Sequence, residues 1–363
     1  MRVALLGLSH PHSAILLTTF ENMPEITGVV LWDPDPLLAA KTKLAQRSKV
    51  TLTTASLDQA LDQPGLQFAL VCVRHDQAAA VAHRVIAAGL HLLSEKPVAL
   101  NSSQILALQE SAAQKGVVAS VLYSRRAHPC MVAARKLLRA EKLGKLTSME
   151  SRFLTTQVRF RNPKHWLFQR PLSGGGILLW LGCHCLDLLY HVPDDEITEV
   201  CGYLGTHSGE AIDVEDTATL ALKFRSGAIG TFHASYSLAF SGQGYVNAKG
   251  YDSYLAFNGR LGRIVWPSLD PQLQIEAPPQ QGQAAIRQES FNLPDSTSYG
   301  GVFGEAFIRW FIAATEGRAV PPSTLADALR TARVIEAAEL SSQTGRSVKV
   351  APTPATPPPD LGE

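Results

Sequence analysis

The sequence predicts a two-domain chain: an α/β half on a parallel, doubly wound sheet, then an α+β half on a mostly antiparallel sheet. Three observations carry this. Over residues 1–123, short apolar runs alternate with helical patterns, as right-handed βαβ units require. Beyond them, strand-like runs lie close together, several separated by Gly-containing turns such as Arg225-Ser226-Gly227. The 363 residues are too many for one ordinary core and comfortable for two.

In the first half, Val3–Leu8, Ile26–Trp32, Phe68–Val73, His91–Ser94 and Val117–Leu122 are expected as strands. The helices between them are Ser13–Met23, stopped by Pro24, then Leu37–Ala45, Gln77–Ala88, closed by Gly89, and Ser102–Gln114, followed by Gly116. The second half opens with a helix at Pro129–Ala140. Its expected strands are Thr147–Thr155, Glu199–Leu204, Thr217–Phe224, Ala228–Tyr236, Tyr245–Lys249 and Ser253–Phe257. A helix at Gly176–His191 interrupts them, and Phe303–Glu316 and Leu325–Gln343 close the domain. Residues 351–363 are Pro-rich with little to bury and read as a disordered tail.

Composition narrows the function. Hydrophobic residues make up 45% and charged residues 18%, an ordinary globular balance, and the net charge is +1. With no basic run to neutralise phosphates, nucleic acid is not an expected partner. Apolar stretches such as Ile177 to Leu181 fall short of a membrane span, and the N-terminus lacks the long apolar region of a signal peptide. Five scattered cysteines (Cys72, Cys130, Cys183, Cys185, Cys201) fit reduced thiols, so a cytoplasmic location is expected. Cys183-His184-Cys185 resembles a metal cluster. Neighbours on a helix point about 100° apart, however, so these three cannot easily share one ion, and no metal is expected.

In an open parallel sheet, ligands bind at the carboxyl ends of the strands. The first such end is Gly7-Leu8-Ser9-His10-Pro11-His12. Against a G-x-G-x-x-G fingerprint, Gly7 is present, Ser9 takes the second glycine's place and His12 the third's. Ser9 is small enough for close approach to a pyrophosphate, and His12 can add a donor to the amides of the helix start. Asp33 ends the second strand, close to where a ribose-binding carboxylate belongs. It favours NAD over a 2′-phosphorylated cofactor, with no Arg or Lys shortly after it to reverse the choice. The competing role is a cap for the next helix, with Asp35 as rival.

The segment Ala87-Ala88-Gly89-Leu90-His91-Leu92-Leu93-Ser94-Glu95-Lys96-Pro97 resembles the Gfo/Idh/MocA oxidoreductases, whose hallmark is a helix ending in Ala-Gly, a short strand, then Glu-Lys-Pro. Further likenesses follow in order: Ser124-Arg125-Arg126 with Pro129; Trp166; Ser173-Gly174-Gly175-Gly176; Gly182-x-His184-x-x-Asp187; Glu215-Asp216-Thr217-Ala218; and Gly227-Ala228-Ile229-Gly230-Thr231. The resemblance covers residues 1–350. It implies a Rossmann domain (1–123) joined to an α+β substrate-binding and oligomerisation domain (124–350) with an open sheet. It also implies NAD as cofactor, a homodimer or homotetramer, and hydride transfer at a secondary alcohol or ketone of a sugar, inositol or related polyol.

Alcohol oxidation needs a base beside the reacting hydroxyl. The resemblance puts Lys96 there, as base or, charged, as a group polarising a carbonyl. His184 is the second catalytic candidate, with Asp187 at i+3 to orient its ring or hold a hydroxyl. Gly7, Leu8, Ser9, His12, Asp33, Val73, Arg74, Glu95 and Lys96 are the cofactor candidates. Lys96, Arg126, Trp166, Trp180, His184 and Asp187 are the substrate candidates. The chain also departs from the family. Trp180 stands where an acidic residue usually precedes the histidine by four, and Val73-Arg74-His75 replaces the usual Thr-Pro-Asn. Leu167 follows Trp166 in place of Arg. If the helix is regular, Trp180 shares a face with His184 and favours a substrate with an apolar face or an aryl group. Two other readings remain open: redox-assisted glycoside cleavage or elimination, in which NADH does not accumulate, and a non-catalytic cofactor-binding regulator.

Overall fold

A computed structural model describes residues 1–236, 250–279 and 284–353. The chain divides into two compact units. Among described residues, the first holds Met1–Ala127 with Pro294–Leu329, and the second His128–Leu293 with Arg330–Thr353.

The first unit is a six-stranded, all-parallel sheet: β1 (Arg2–Leu6), β2 (Gly28–Trp32), β3 (Val50–Thr54), β4 (Leu66–Val71), β5 (His91–Ser94) and β6 (Ala119–Val121), in the order β3-β2-β1-β4-β5-β6. This is the doubly wound order whose direction reverses between β1 and β4. β1, β2 and β4 are buried on both faces over nearly their full length, so they read as continuous apolar runs. The edge strand β3 is threonine-rich and mostly half-buried, and the sequence reading missed it. The expected helix Leu37–Ala45 is a short helix, Pro36–Lys41, followed by a 3₁₀ turn, Lys43–Gln46.

One boundary needs correction. Residues 294–329 pack with the first unit, although the sequence assigned them to the second domain. On the helix Gly301–Thr315, Phe307, Ile308, Phe311 and Ile312 join Leu16, Phe20, Phe68 and Leu70 in one apolar core. Phe68 meets Phe311 edge to face at 5.2 Å. Each such buried ring stabilises by roughly 1.5–3 kcal/mol, which is ample to hold the returning segment.

The second unit is a mixed sheet. Its strands are β7 (Leu146–Thr155), β8 (Ile197–Gly205), β9 (Thr217–Phe224), β10 (Ile229–Ser235), β11 (Tyr251–Gly259), β12 (Arg263–Trp266), β13 (Gln272–Glu276), β14 (Ile286–Ser290) and β15 (Val348–Lys349). They run in the order β14-β13-β12-β11-β7-β10-β9-β8-β15, antiparallel throughout except for the β7–β10 pair. Burial alternates cleanly along β9, so one face is covered and the other open. Gly182 stands beside Phe232 of β10, where an added Cβ would meet the ring at 3.1 Å. The expected strand Tyr245–Lys249 and residues 354–363 of the tail lie outside the described residues.

Candidate functional site

In the first unit, four predicted residues line the carboxyl ends of adjacent strands: Gly7 after β1, Asp33 after β2, Val73 just past β4 and Glu95 after β5. Gly7 adopts φ +113°, and a Cβ there would lie 2.2 Å from the Cys72 carbonyl oxygen. Only glycine allows the two backbones this approach. The Leu8 amide donates to Asp33 Oδ2 at 2.7 Å and the Asp35 amide to Oδ1 at 3.0 Å. Asp35, not Asp33, caps the following helix, accepting from the Leu37 and Leu38 amides. Asp33 therefore braces the glycine turn, and each of its oxygens keeps a lone pair for a ribose hydroxyl. Ser9 is exposed on the same turn. A tight glycine turn leading into the helix Ser13–Asn22, with a carboxylate at the next strand end, fits a dinucleotide.

His12 stands at the start of the helix Ser13–Asn22. It is the N-cap of that helix with near-helical dihedrals and makes no side-chain cap. Its Nδ1 instead pairs with Glu95 Oε1 at 3.0 Å. The other Glu95 oxygen accepts from the Lys96 amide at 2.9 Å. Burial pushes the Glu95 carboxyl up, but His12, Lys96 and His10 outweigh it and hold the group well below the usual carboxylate range. The sequence reading missed His10, Cys72, His75 and Tyr299. His10 Nδ1 accepts from the His12 amide at 3.1 Å and lies 3.2 Å from Cys72 Sγ. The rings of His10 and His75 stand 6.3 Å apart, and Tyr299 lies 4.8 Å from His12. Tyr299 enters from the returning segment, so no local pattern announces it. His10, His12 and Glu95 bring donor atoms within 4.8 Å of one another.

Lys96 is 1% exposed despite its charge. Arg74 is held bidentately by Asp76 at 2.6 and 2.9 Å, which ties it to the start of the helix His75–Ala87. Arg126, an expected substrate residue, is held within the first unit. Its buried guanidinium donates to the Pro322 carbonyl at 3.0 Å and meets Asp327 at 3.1 Å. A buried guanidinium needs such partners, and this one anchors the returning segment to the first unit.

In the second unit, Gly174 (φ +80°) ends a short helix and Gly176 begins the next stretch. A Cβ on Gly176 would lie 1.8 Å from the Glu215 carbonyl oxygen. The Glu215 carboxylate accepts from the Gly176 and Leu178 amides at 2.8 and 3.2 Å, and Arg170 lies 3.3 Å away. Burial pushes its pKa up against these donors. Glu215 is thus a buried brace for the helix entry, which accounts for the glycines. The expected single helix Gly176–His191 is a π-helical turn, Leu178–Gly182, followed by an α-helix, Cys183–His191. Residues four apart share a face in an α-helix, whereas i→i+5 winding moves that relation by one. Trp180 and His184 are thus joined through a π-turn rather than by a regular α-helix. Trp180, His184 and Asp187 are all buried, and Trp166 is half-buried beside His165. The stretch Arg170–His191 contains an 18-residue window apolar enough by composition for a membrane span (mean hydropathy 1.4), but 83% of that window is buried inside the fold, as in a core helix. Lys96 belongs to the first unit and His184 to the second.

Comparison with known proteins agrees with this architecture. A family described as "Oxidoreductase family, NAD-binding Rossmann fold" matches residues 1–123, and the "GFO/IDH/MocA C-terminal domain" matches residues 131–265. Levoglucosan dehydrogenase of Pseudarthrobacter phenanthrenivorans is 24% identical over 262 residues, 65% of this chain and 64% of that protein. Trans-1,2-dihydrobenzene-1,2-diol dehydrogenase of Sus scrofa is 24% identical over 204 residues, 56% and 59% of the two chains. The match thus spans less than two thirds of either relative. Among solved structures, levoglucosan dehydrogenase in complex with NADH and levoglucosan has a TM-score of 0.84 at 21% identity, covering 97% of this chain and 100% of that one. An oxidoreductase domain protein from Kribbella flavida has a TM-score of 0.84 at 22% identity, covering 96% and 99%. With a glycine turn at the switch point, a carboxylate after β2, Glu-Lys-Pro after β5 and both family domains matched in order, the chain belongs to the GFO/IDH/MocA family of NAD-binding oxidoreductases.

Proposed function

We propose that the protein is an NAD-dependent dehydrogenase acting on a secondary alcohol or ketone of a sugar, inositol or related polyol. The observation that carries this is Lys96: a cationic side chain, 1% exposed, directly after the anionic Glu95 at the ligand-binding edge of the parallel sheet. A solvated loop lysine would not be buried so completely. Gly7, Leu8 and Ser9 with the helix Ser13–Asn22 would hold the pyrophosphate, Asp33 the adenosine ribose, and Val73, Arg74 and Glu95 the nicotinamide half. When bound, NAD would supply the hydride acceptor for the carbinol carbon, or the hydride donor in reverse. Lys96 Nζ, as the neutral amine, takes the hydroxyl proton as the hydride leaves, or, as the ammonium, donates to the carbonyl oxygen in reverse. His184 is the second proton carrier, and Asp187, one turn on, orients the substrate hydroxyls or that ring. The names of both relatives, a levoglucosan and a dihydrodiol dehydrogenase, support a cyclic hydroxylated substrate.

Lys96→Ala and His184→Ala are expected to lose roughly 10²–10⁴-fold in turnover while NADH binding persists. A screen of polyols, inositols and anhydro-sugars for NADH appearance supplies the substrate. Near-wild-type turnover in either variant removes that residue from the mechanism. Tyr203 and Ile229, 73% and 60% exposed on the open sheet face, support pairing of subunits there as a homodimer or homotetramer. Light scattering on the purified protein tests this, and a monomer at micromolar concentration rejects it. Five free thiols support a reducing, cytoplasmic setting.

A further inference from the structure

We propose that His12 is a positioning residue for Glu95: standing where a dinucleotide-binding turn usually has its third glycine, it locks the buried glutamate as an anion beside Lys96. The inference rests on the cofactor site proposed above. Its geometric basis is the 3.0 Å pair between His12 Nδ1 and Glu95 Oε1, with Oε2 fixed by the Lys96 amide. A histidine at a helix N-terminus faces the positive end of the dipole, which disfavours its cationic form. The Glu95 carboxylate offsets that, and the histidine in turn offsets the cost of burying the carboxylate.

The groups facing Glu95 come from four elements. His10 and His12 lie on the turn after β1, and Cys72 lies beyond β4, with His75 beside the His10 ring. Lys96 follows β5, and Tyr299 enters on the returning segment and donates to Glu95. Desolvation is the largest single influence on Glu95 and opposes its charge, while His12 supplies both the leading attraction and a hydrogen bond. Loss of His12 removes both and shifts the carboxyl toward its neutral form, with Lys96 and His10 left to oppose it. The sign follows: the wild-type carboxylate stays charged across the working range, and in a His12 variant it takes up a proton as pH falls. A protonated Glu95 presents a donor where a ribose hydroxyl needs an acceptor, and cofactor affinity then drops on the acid side.

The experiment is NADH titration by fluorescence from pH 8.5 to 5.5 for wild type, His12→Phe, His12→Gln, Glu95→Gln and His12→Phe/Glu95→Gln, with circular dichroism on each. The expected result is an affinity that varies little for wild type and falls tenfold or more toward pH 5.5 in His12→Phe. Recovery is expected in His12→Gln, whose amide still donates to Oε1, and no acid limb in the double variant. A purely structural role for His12 would weaken binding equally at every pH, and that overturns the proposal. An acid limb that survives in the double variant also overturns it, because another group is then titrating. If Glu95→Gln weakens NADH but His12→Phe has no acid limb, the lock fails and the cofactor site stands. If neither substitution changes NADH affinity, the cofactor reading itself fails. Stoichiometric Zn²⁺ binding that is lost in His12→Phe, without a pH effect on NADH, makes the trio a metal site and rejects the lock.

Discussion

Replacing Gly7 with alanine perturbs the point where β1 and β4 part. Two costs add. At φ +113° a side chain is strained, typically by about 1–3 kcal/mol. The new Cβ would also lie 2.2 Å from the Cys72 carbonyl oxygen and 2.7 Å from its carbon. These are backbone atoms held by the Cys72 amide bond to the Leu6 carbonyl at 2.7 Å, so no rotamer change relieves the clash. Overpacking of this kind costs about 1–3 kcal/mol. The sum, about 2–6 kcal/mol, is a large part of a typical stability of ~5–15 kcal/mol. Gly89→Ala is the matched control, since its φ is +75° with nothing within 4 Å of the Cβ. It carries strain without collision. Urea unfolding by circular dichroism and NADH titration by fluorescence read the two effects. Gly7→Ala is expected to lower the midpoint well beyond Gly89→Ala and to weaken NADH at least tenfold, while Gly89→Ala keeps NADH affinity. Equal midpoints for the two variants, with NADH binding intact in both, would refute the close approach assigned to Gly7.

Three further expectations follow from the same structure. Wild type is expected to bind NADH at least tenfold more tightly than NADPH, about 1.4 kcal/mol. Asp33→Asn narrows that gap while keeping an oxygen for the Leu8 amide, so equal wild-type affinities would defeat the role of Asp33. Trp180 is 2% exposed, so Trp180→Asp should destabilise by at least ~3–5 kcal/mol through lost packing alone, with an unpaired buried carboxylate adding to it. Trp180→Phe should then fold and leave the ratio of kcat/KM between bulky and simple polyols unchanged, and a changed ratio would put the ring against the substrate. A disulfide-exchange reagent at pH 8 should modify Cys201 rapidly and the other four cysteines only after denaturation, since these are buried and burial pushes the Cys130 thiol up to about 12. Fast modification of more than one thiol in the native protein would contradict the burial described.

Much of this was legible in the chain itself. Strands buried on both faces become unbroken apolar runs, so β1, β2 and β4 announced the parallel sheet, and Gly7 and Asp33 fell at their ends by counting. Glu-Lys-Pro after a short strand marked the family, because its spacing from Ala-Gly is local. The edge strand β3 was not legible: half-buried threonines carry no periodic apolar signal.

Tertiary structure decided what depends on residues distant in sequence. Periodicity predicted a helix near residues 301–315 but could not say which sheet its phenylalanines would cover, since either core rewards the same burial. The partner of His12 lies 83 residues away, and nothing near either residue foretells the pair. Asp327, which holds Arg126, lies 201 residues away, and the π-turn at Leu178–Gly182 interrupts what local periodicity reads as one regular helix. Local pattern encodes each element and the face it buries. Which buried charges meet is settled only when distant elements pack, because a charge removed from water must find its partner in three dimensions.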